Sequence, residues 1–438
     1  MLEDRLMRPL IWILLLGAMA LAQPARWTGQ PDYRSFAGAP TSAGPALDRS
    51  YALVYPAQGA FRGTVLLVPG LLGGATSFDA LARRLVLAAP GWEVWAWDRR
   101  ANGLEDRQGF LGADPWAYYQ RYTLPDAPFL KDWGLRVHLQ DLDALVDAAR
   151  QRGPVVLAGH SLGASLSAAY AQWRGEKLAG LAWIDGAPSP NRLTREQYLE
   201  GGLGGFGRSP GLDELLAGRA TPYLEFSFLG LRLNPAFLAC AEALAFLAAR
   251  DPEADAPPGA ARFPASLEAA ALSQIDDRYN PVALFSASVG RAWGREGFSL
   301  LRLLQGQVGY SVIGARGRRV EWQDTGEATD PREFLGLYAW PETGFSEWFF
   351  PVRLSLDLAA WDLAVPELKP RRLGFRVLGL GAGRGAVTDA ARFAAARALF
   401  PSAEVHAEVL PGLTHLDILL GRQGPAVGPL ARYLETLP

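Results

Sequence analysis

Gly159-His160-Ser161-Leu162-Gly163 sets a serine hydroxyl between two glycines, and its flanks decide what that serine can do. Pro154-Val155-Val156-Leu157-Ala158 before it reads as a short buried parallel strand. Ala164 to Tyr170 after it is a run of small residues suited to a tightly packed helix. A strand-to-helix turn this sharp needs Gly159 and Gly163, where a side chain would collide with its neighbours. It holds the Ser161 hydroxyl clear of the sheet at a helix N-terminus, whose partial positive charge favours an oxyanion. The chemistry is nucleophilic attack by an alcohol, and it needs a base. Four histidines are available, His138, His160, His406 and His415. With a single cysteine, Cys240, and histidines this scattered, there is no metal-ligand spacing and no metal is expected. Gly379 to Gly385 has a G-x-G-x-G look, but it lacks the first βα unit and the acidic residue of a nucleotide motif, so no cofactor is expected.

The elements that must position Ser161 follow from hydrophobic patterning. Ser50 to Pro56 and Gly63 to Val68 read as strands, the second ending in Pro69-Gly70-Leu71-Leu72-Gly73-Gly74. Phe78, Leu81, Ala82, Leu85 and Val86 recur at helical spacing, with Thr76 or Ser77 placed to cap. Trp92 to Trp97 is a strand ending at Asp98, Leu135 to Ala149 an amphipathic helix, and Leu178 to Ile184 a strand ending at Asp185. The alternation then lapses and resumes with a strand from Phe375 to Leu380, a helix from Asp389 to Leu399, a strand from Ala403 to Leu410, and a closing helix over Pro425 to Leu434. Such alternation predicts right-handed βαβ units and a mostly parallel sheet flanked by helices, an α/β fold. Residues 186–370 are then an insertion between two sheet strands. It has a helix from Asn234, as N-cap, to Arg250 and a hairpin from Val308 to Trp322.

A net charge of −2 and 20% charged residues give no basic surface for nucleic acid. Arg5 and Arg8, the apolar run Leu10 to Leu16, and Ala20-Leu21-Ala22 have the layout of a secretory leader cut after Ala22; an uncleaved anchor is the alternative. Residues 1–22 would then be lost, 23–49 would form an irregular arm, and the lone Cys240 would be a small buried hydrophobe without a disulfide partner.

In the order of these parts the chain resembles the α/β-hydrolase superfamily over residues 50–185 and 371–438, with motifs at Pro69-Gly70-Leu71, Gly159 to Gly163, and Pro411-Gly412-Leu413-Thr414-His415. The resemblance implies that Ser161 is the nucleophile, that His415 is the base, and that the N–H groups of Leu71 and Leu162 form the oxyanion hole. His160 would point away from the nucleophile's task, and His138 and His406 would be structural. The acid departs from the family pattern. The loop after Leu380 reads Gly381 to Asp389, with Arg384 or a glycine where most members carry a carboxylate. Asp185, at a strand end as in pancreatic-type lipases, is the first candidate; Asp389 is the second, although it also suits a helix N-cap. Asp417 is a lesser one and reads as a cap. Asp98-Arg99-Arg100 and Glu105-Asp106 lie on the same face of the sheet and read chiefly as charge pairs that tie a loop down.

The resemblance further implies a secreted or periplasmic serine hydrolase acting on carboxylic esters, with the insertion as a mainly helical cap or lid. Phe226, Phe228, Phe237, Phe246, Trp293, Tyr338, Trp340, Trp348, Phe349, Phe350 and Trp361 supply either an acyl-binding slot or the core of the insertion itself. The slot reading favours a lipid-like ester and transient contact of the cap with a lipid surface. The rivals are a peptidase of proline-iminopeptidase type, a cofactor-free haloperoxidase-like enzyme, and a non-catalytic binding protein on a hydrolase scaffold. A serine in the elbow argues against epoxide hydrolases, which use an aspartate there.

Overall fold

A computed structural model describes residues 23–437 apart from 190–191, 205–206, 229–230, 281, 283–284, 294–295, 299–309 and 313–317. Residues 1–22, where the sequence predicts a leader, lie outside the described residues. Eight strands form one sheet: β1 Asp32–Ala37, β2 Arg49–Tyr55, β3 Gly63–Val68, β4 Trp92–Asp98, β5 Val155–His160, β6 Gly180–Ile184, β7 Val377–Arg384 and β8 Val405–Thr414. Their order is β1-β2-β4-β3-β5-β6-β7-β8. The pairs β1–β2 and β2–β4 are antiparallel and the rest parallel. β3 to β6 are buried along their whole length, as expected of parallel strands covered on both faces.

Successive side chains of a strand point to opposite faces, and two cores result. Leu66, Val68, Trp95, Trp97 and Leu157 pack with helices α2 Leu135–Arg150 and α3 Leu162–Arg174. Val65, Leu67, Val94 and Val156 pack on the other side with α1 Asp79–Ala88 and α6 Val427–Glu435. Between β6 and β7 lies the insertion, with α4 Pro235–Arg250 and α5 Val352–Ala359. In α4 the Asn234 side chain accepts from the Phe237 N–H at 2.9 Å, with Pro235 in the first turn, as expected. Besides helices, the insertion carries four short antiparallel ladders.

Several boundaries differ from the sequence reading. The arm is not wholly irregular: β1 lies within it, a mostly exposed edge strand whose polar sequence has no apolar alternation to betray it. Neither Thr76 nor Ser77 caps α1; both sit in a 3-10 turn, and Ser77 Oγ donates to the Gly74 carbonyl at 2.6 Å. β7 runs four residues past Leu380, and β8 continues through Pro411-Gly412 with Gly412 at φ 75°. The helix from Asp389 to Leu399 is 3-10 over Ala390–Ala398. The described part of the Val308 to Trp322 hairpin pairs with an earlier segment instead: Tyr310–Val312 with Glu296–Phe298 and Glu321–Gln323 with Arg291–Trp293. Among the described residues no helix is long and apolar enough to cross a membrane.

Candidate active site

Ser161 stands immediately after β5 with φ 55°, a left-handed conformation that an L-residue adopts only under constraint. The constraint is visible on all sides. A β-carbon on Gly159 would strike the Gly163 carbonyl, one on Gly163 the Val68 carbonyl, and one on Gly186 the Ser161 carbonyl. The Ser161 N–H donates to the Ile184 carbonyl at 3.0 Å, so β6 supports the turn from beneath. Among the described residues the non-glycine positions with positive φ are Leu72, Ser161 and Asp185, at 58°, 55° and 41°. All three follow the ends of adjacent parallel strands, so the backbone strain of the fold is gathered around one point. Each such residue costs about 1–3 kcal/mol, which the buried sheet beneath must offset.

The Nδ1–H of His415 donates to Oδ2 of Asp185 at 2.5 Å, and both side chains are buried. Asp185 is itself held by three main-chain donors from the end of β7 and the loop after it: Ala382 N–H to Oδ1 at 2.9 Å, Val387 N–H to Oδ1 at 2.9 Å, and Ala386 N–H to Oδ2 at 2.8 Å. Burial pushes this carboxyl upward, but the hydrogen bond and charge of His415, with the amides of Ala386 and Ala382, more than offset it and hold the acid below the usual carboxylate range. Where the resemblance expects a carboxylate, this segment instead binds the carboxylate of Asp185. Arg384, which with a neighbouring glycine stands where the resemblance expects a carboxylate, pairs with Asp277 of the insertion.

Asp389 is the N-cap of its 3-10 helix, accepting from Ala391 N–H at 2.8 Å. Asp417 does not act as a cap; it accepts from the N–H groups of Ser288 at 2.9 Å and Thr414 at 3.0 Å and from the Thr329 hydroxyl at 2.8 Å, bracing the segment that carries His415. His138 donates from Nδ1 to the Gly134 carbonyl at 2.9 Å inside α2, and His406 is exposed on β8.

His160 is the residue the sequence reading missed. Rather than pointing away, it borders the same cavity and packs against His415 with ring centroids 4.4 Å apart. Its Nε2–H donates to the His415 main-chain carbonyl at 3.1 Å. Burial and the neighbouring His415 push its pKa down to about 3, so it is a neutral brace near neutral pH. No local signal separates it from any variable residue of the motif, because its partner lies 255 residues away.

Ser161, His415, Asp185, Leu71 and Leu162 all line one cavity of about 1130 Å³. The Gly70 main chain lies over the serine: a β-carbon there would be 2.8 Å from Ser161 Cβ. Leu162 opens α3, and the N–H groups of a first helical turn have no intrahelical acceptor. Phe226, Phe237, Phe285, Phe334, Tyr338 and Phe345 give the cavity an aromatic wall. The aromatic residues of the insertion therefore divide. Phe226, Phe237 and Tyr338 face the cavity, Phe246, Trp348, Phe349, Phe350 and Trp361 are buried in the core, and Trp293 is exposed. Cys240 is half-buried; it packs against the core and also borders the cavity. Asp98, Arg99, Arg100, Glu105 and Asp106 do not line it; Arg100, for example, is bound to Asp141 at 2.5 Å and Asp48 at 3.0 Å.

A model of the α/β-hydrolase fold family matches residues 63–280. No curated protein matches the sequence. Among solved structures, a candidate lipase from Sulfolobus solfataricus is similar with a TM-score of 0.50 at 14% identity, over 94% of this chain and 96% of its own. An epoxide hydrolase from an endophytic Streptomyces gives 0.48 at 17% identity, over 93% and 96%. Epoxide Hydrolase A from Mycobacterium thermoresistibile gives 0.47 at 16%, over 93% and 99%. At 14% identity the likeness to the Sulfolobus protein speaks to fold alone, and that fold agrees with the strand order and the strand–turn–helix around Ser161 described above. The chain belongs to the α/β-hydrolase superfamily.

Proposed function

We propose that the protein is a serine hydrolase that cleaves carboxylic esters with an apolar acyl group through an acyl-enzyme. The observation that carries this reading is the 2.5 Å contact between His415 Nδ1 and Asp185, made on the wall of the cavity that Ser161 also lines. In the mechanism His415 Nε2 takes the Ser161 proton as Oγ attacks the ester carbonyl. Asp185 fixes the imidazole tautomer and stabilises the imidazolium. The N–H groups of Leu71 and Leu162 receive the charge on the tetrahedral oxygen. Collapse breaks the ester C–O bond, and the alcohol leaves with the proton from His415. Water, activated by the same base, then releases the acid.

A serine in the turn supports acyl transfer over epoxide opening. That the segment closing β7 has no carboxylate at the position the resemblance expects is no argument for a non-catalytic scaffold, because amides of that segment and the loop after it bind the carboxylate of Asp185 instead. The aromatic wall and the size of the cavity favour an apolar, lipid-like acyl group. The insertion serves as the cap over the site, with transient contact to a lipid surface, and the leader directs the chain to the periplasm or beyond.

Labelling with a fluorophosphonate probe tests the reading. We expect one adduct on Ser161, abolished in Ser161→Ala, together with turnover of p-nitrophenyl esters. A wild-type protein that neither labels nor turns over any ester of the series would refute it.

A further inference from the structure

Arg99 ends up wholly buried beyond β4, and its donors are spent on the loop that follows β3. Nη1 donates to the Pro69 carbonyl at 2.7 Å; Nη2 donates to the Gly70 carbonyl at 2.8 Å and the Gly73 carbonyl at 3.3 Å. The counter-charge comes from the insertion. Nε and Nη2 reach Oε2 of Glu347, an equally buried carboxylate, at 2.8 Å and 2.5 Å. The ring of Phe350 lies 5.3 Å from the guanidinium. Main-chain bonds run alongside: Gly74 N–H to the Phe345 carbonyl at 2.8 Å, and Glu347 N–H to the Leu72 carbonyl at 2.9 Å.

The geometry has a specific effect on Leu71. The Gly70 carbonyl and the Leu71 N–H belong to one planar, trans peptide unit, in which they point in opposite directions. Pulling the carbonyl toward Arg99 therefore aims the N–H the other way, and Leu71 borders the cavity that Ser161 lines. Carbonyls on both sides of this unit are gripped as well, so it has little freedom to rotate. A buried guanidinium keeps such a pose only while a carboxylate neutralises it, because removing one partner leaves an uncompensated charge.

We propose that Arg99 is a positioning residue that aims the Leu71 N–H into the oxyanion hole, and that Glu347 makes this aim depend on the seating of the insertion. The proposal rests on the serine-hydrolase reading above. Arg99 never meets substrate; it acts through the peptide plane it holds.

The test compares wild type with Arg99→Lys and Glu347→Gln on a short-chain p-nitrophenyl ester. Two inhibitors accompany it: an alkylboronic acid, whose adduct places a tetrahedral oxygen in the hole, and the isosteric amide, which does not. We expect kcat and boronate affinity to fall together by about 10- to 100-fold, short of the roughly 10²–10³ of losing a donor outright. Amide inhibition should stay within about twofold and melting should remain cooperative, since the loss is confined to the transition state. Glu347→Gln is nearly isosteric and carries the test alone if Arg99→Lys does not fold. Unchanged boronate affinity, or parallel loss of boronate and amide binding, overturns the proposal while leaving the function intact. A wild type without turnover or boronate binding refutes the function and the proposal with it.

Discussion

Gly385 lies against Oδ2 of Asp185 with no room for a β-carbon between them. The glycine is what lets its loop close over the carboxylate, and the closed loop is what keeps Asp185 under His415. Gly385→Ala should therefore push the acid off the imidazole. Its turnover is expected to fall toward that of Asp185→Asn, itself lower than wild type by about 10⁴. Steady-state kinetics of the two variants check this, and a Gly385→Ala enzyme of wild-type rate would show that the contact is slack.

Ser161→Ala and His415→Ala should each remove ester hydrolysis, and the double variant should be hardly worse than either. Groups that act as one unit behave this way, with losses on the order of 10⁶ for either alone. If the two losses multiplied, Ser161 and His415 would not be working on the same proton.

Acid should expose the buried histidines. His138 and His160 are both pushed down to about 3, chiefly by burial. Each contributes stability that is complete above its unfolded pKa of about 6.5 and is lost as pH falls toward the folded value, at about 1.4 kcal/mol per pH unit. Asp98 and Asp276, lifted by burial to about 6 and about 7, act in the opposite sense. The informative quantity is thus a difference. Between pH 7 and 5, urea unfolding of His138→Gln should lose less stability than wild type, by about 1.4 kcal/mol per unit below pH 6.5. Parallel curves would mean that His138 is free to take a proton in the folded state.

Ala245 borders the cavity from α4 and is almost fully buried. Ala245→Trp should fill part of the aromatic slot and shorten the acyl chain the enzyme prefers, with acetate esters turned over nearly as before. Relative kcat/KM across a series of p-nitrophenyl esters measures this. A uniform loss for every chain length would place the acyl group elsewhere.

The leader reading predicts a mature chain beginning at Gln23, which the intact mass of exported protein reads directly. A mass that retains residues 1–22, with the protein in the membrane fraction, would favour the anchor.

The sheet was legible because its strands are short apolar runs set between helical periods, and Ser161 because two glycines flank it within one strand–turn–helix segment, although the contact that forces Gly163 comes from Val68 on β3. Asp185 was readable as a strand end but not separable from Asp389, since the deciding contact spans 230 residues. β1 was lost for a different reason: its inward contacts come from Tyr33 and Phe36, three residues apart, which is not the two-residue alternation of a strand. Arg99 was readable as a charge that ties a loop down, and it does hold the loop from Pro69 to Gly73, but its counter-charge Glu347 lies 248 residues away. Glu347 and His160 were out of reach, because each is defined by a partner far along the chain and composition holds no trace of such a pairing.

The strand order has a consequence for biosynthesis. Ser161 and Asp185 close β5 and β6, which neighbour one another and are made within one stretch of chain, whereas His415 arrives after β8, the outermost strand of the far edge. On the proposed mechanism, a growing polypeptide that has already folded Ser161 and Asp185 still has no base. By the same mechanism the serine stays idle until the far edge of the sheet docks, so a nascent chain, or one truncated before His415, should show no ester hydrolysis.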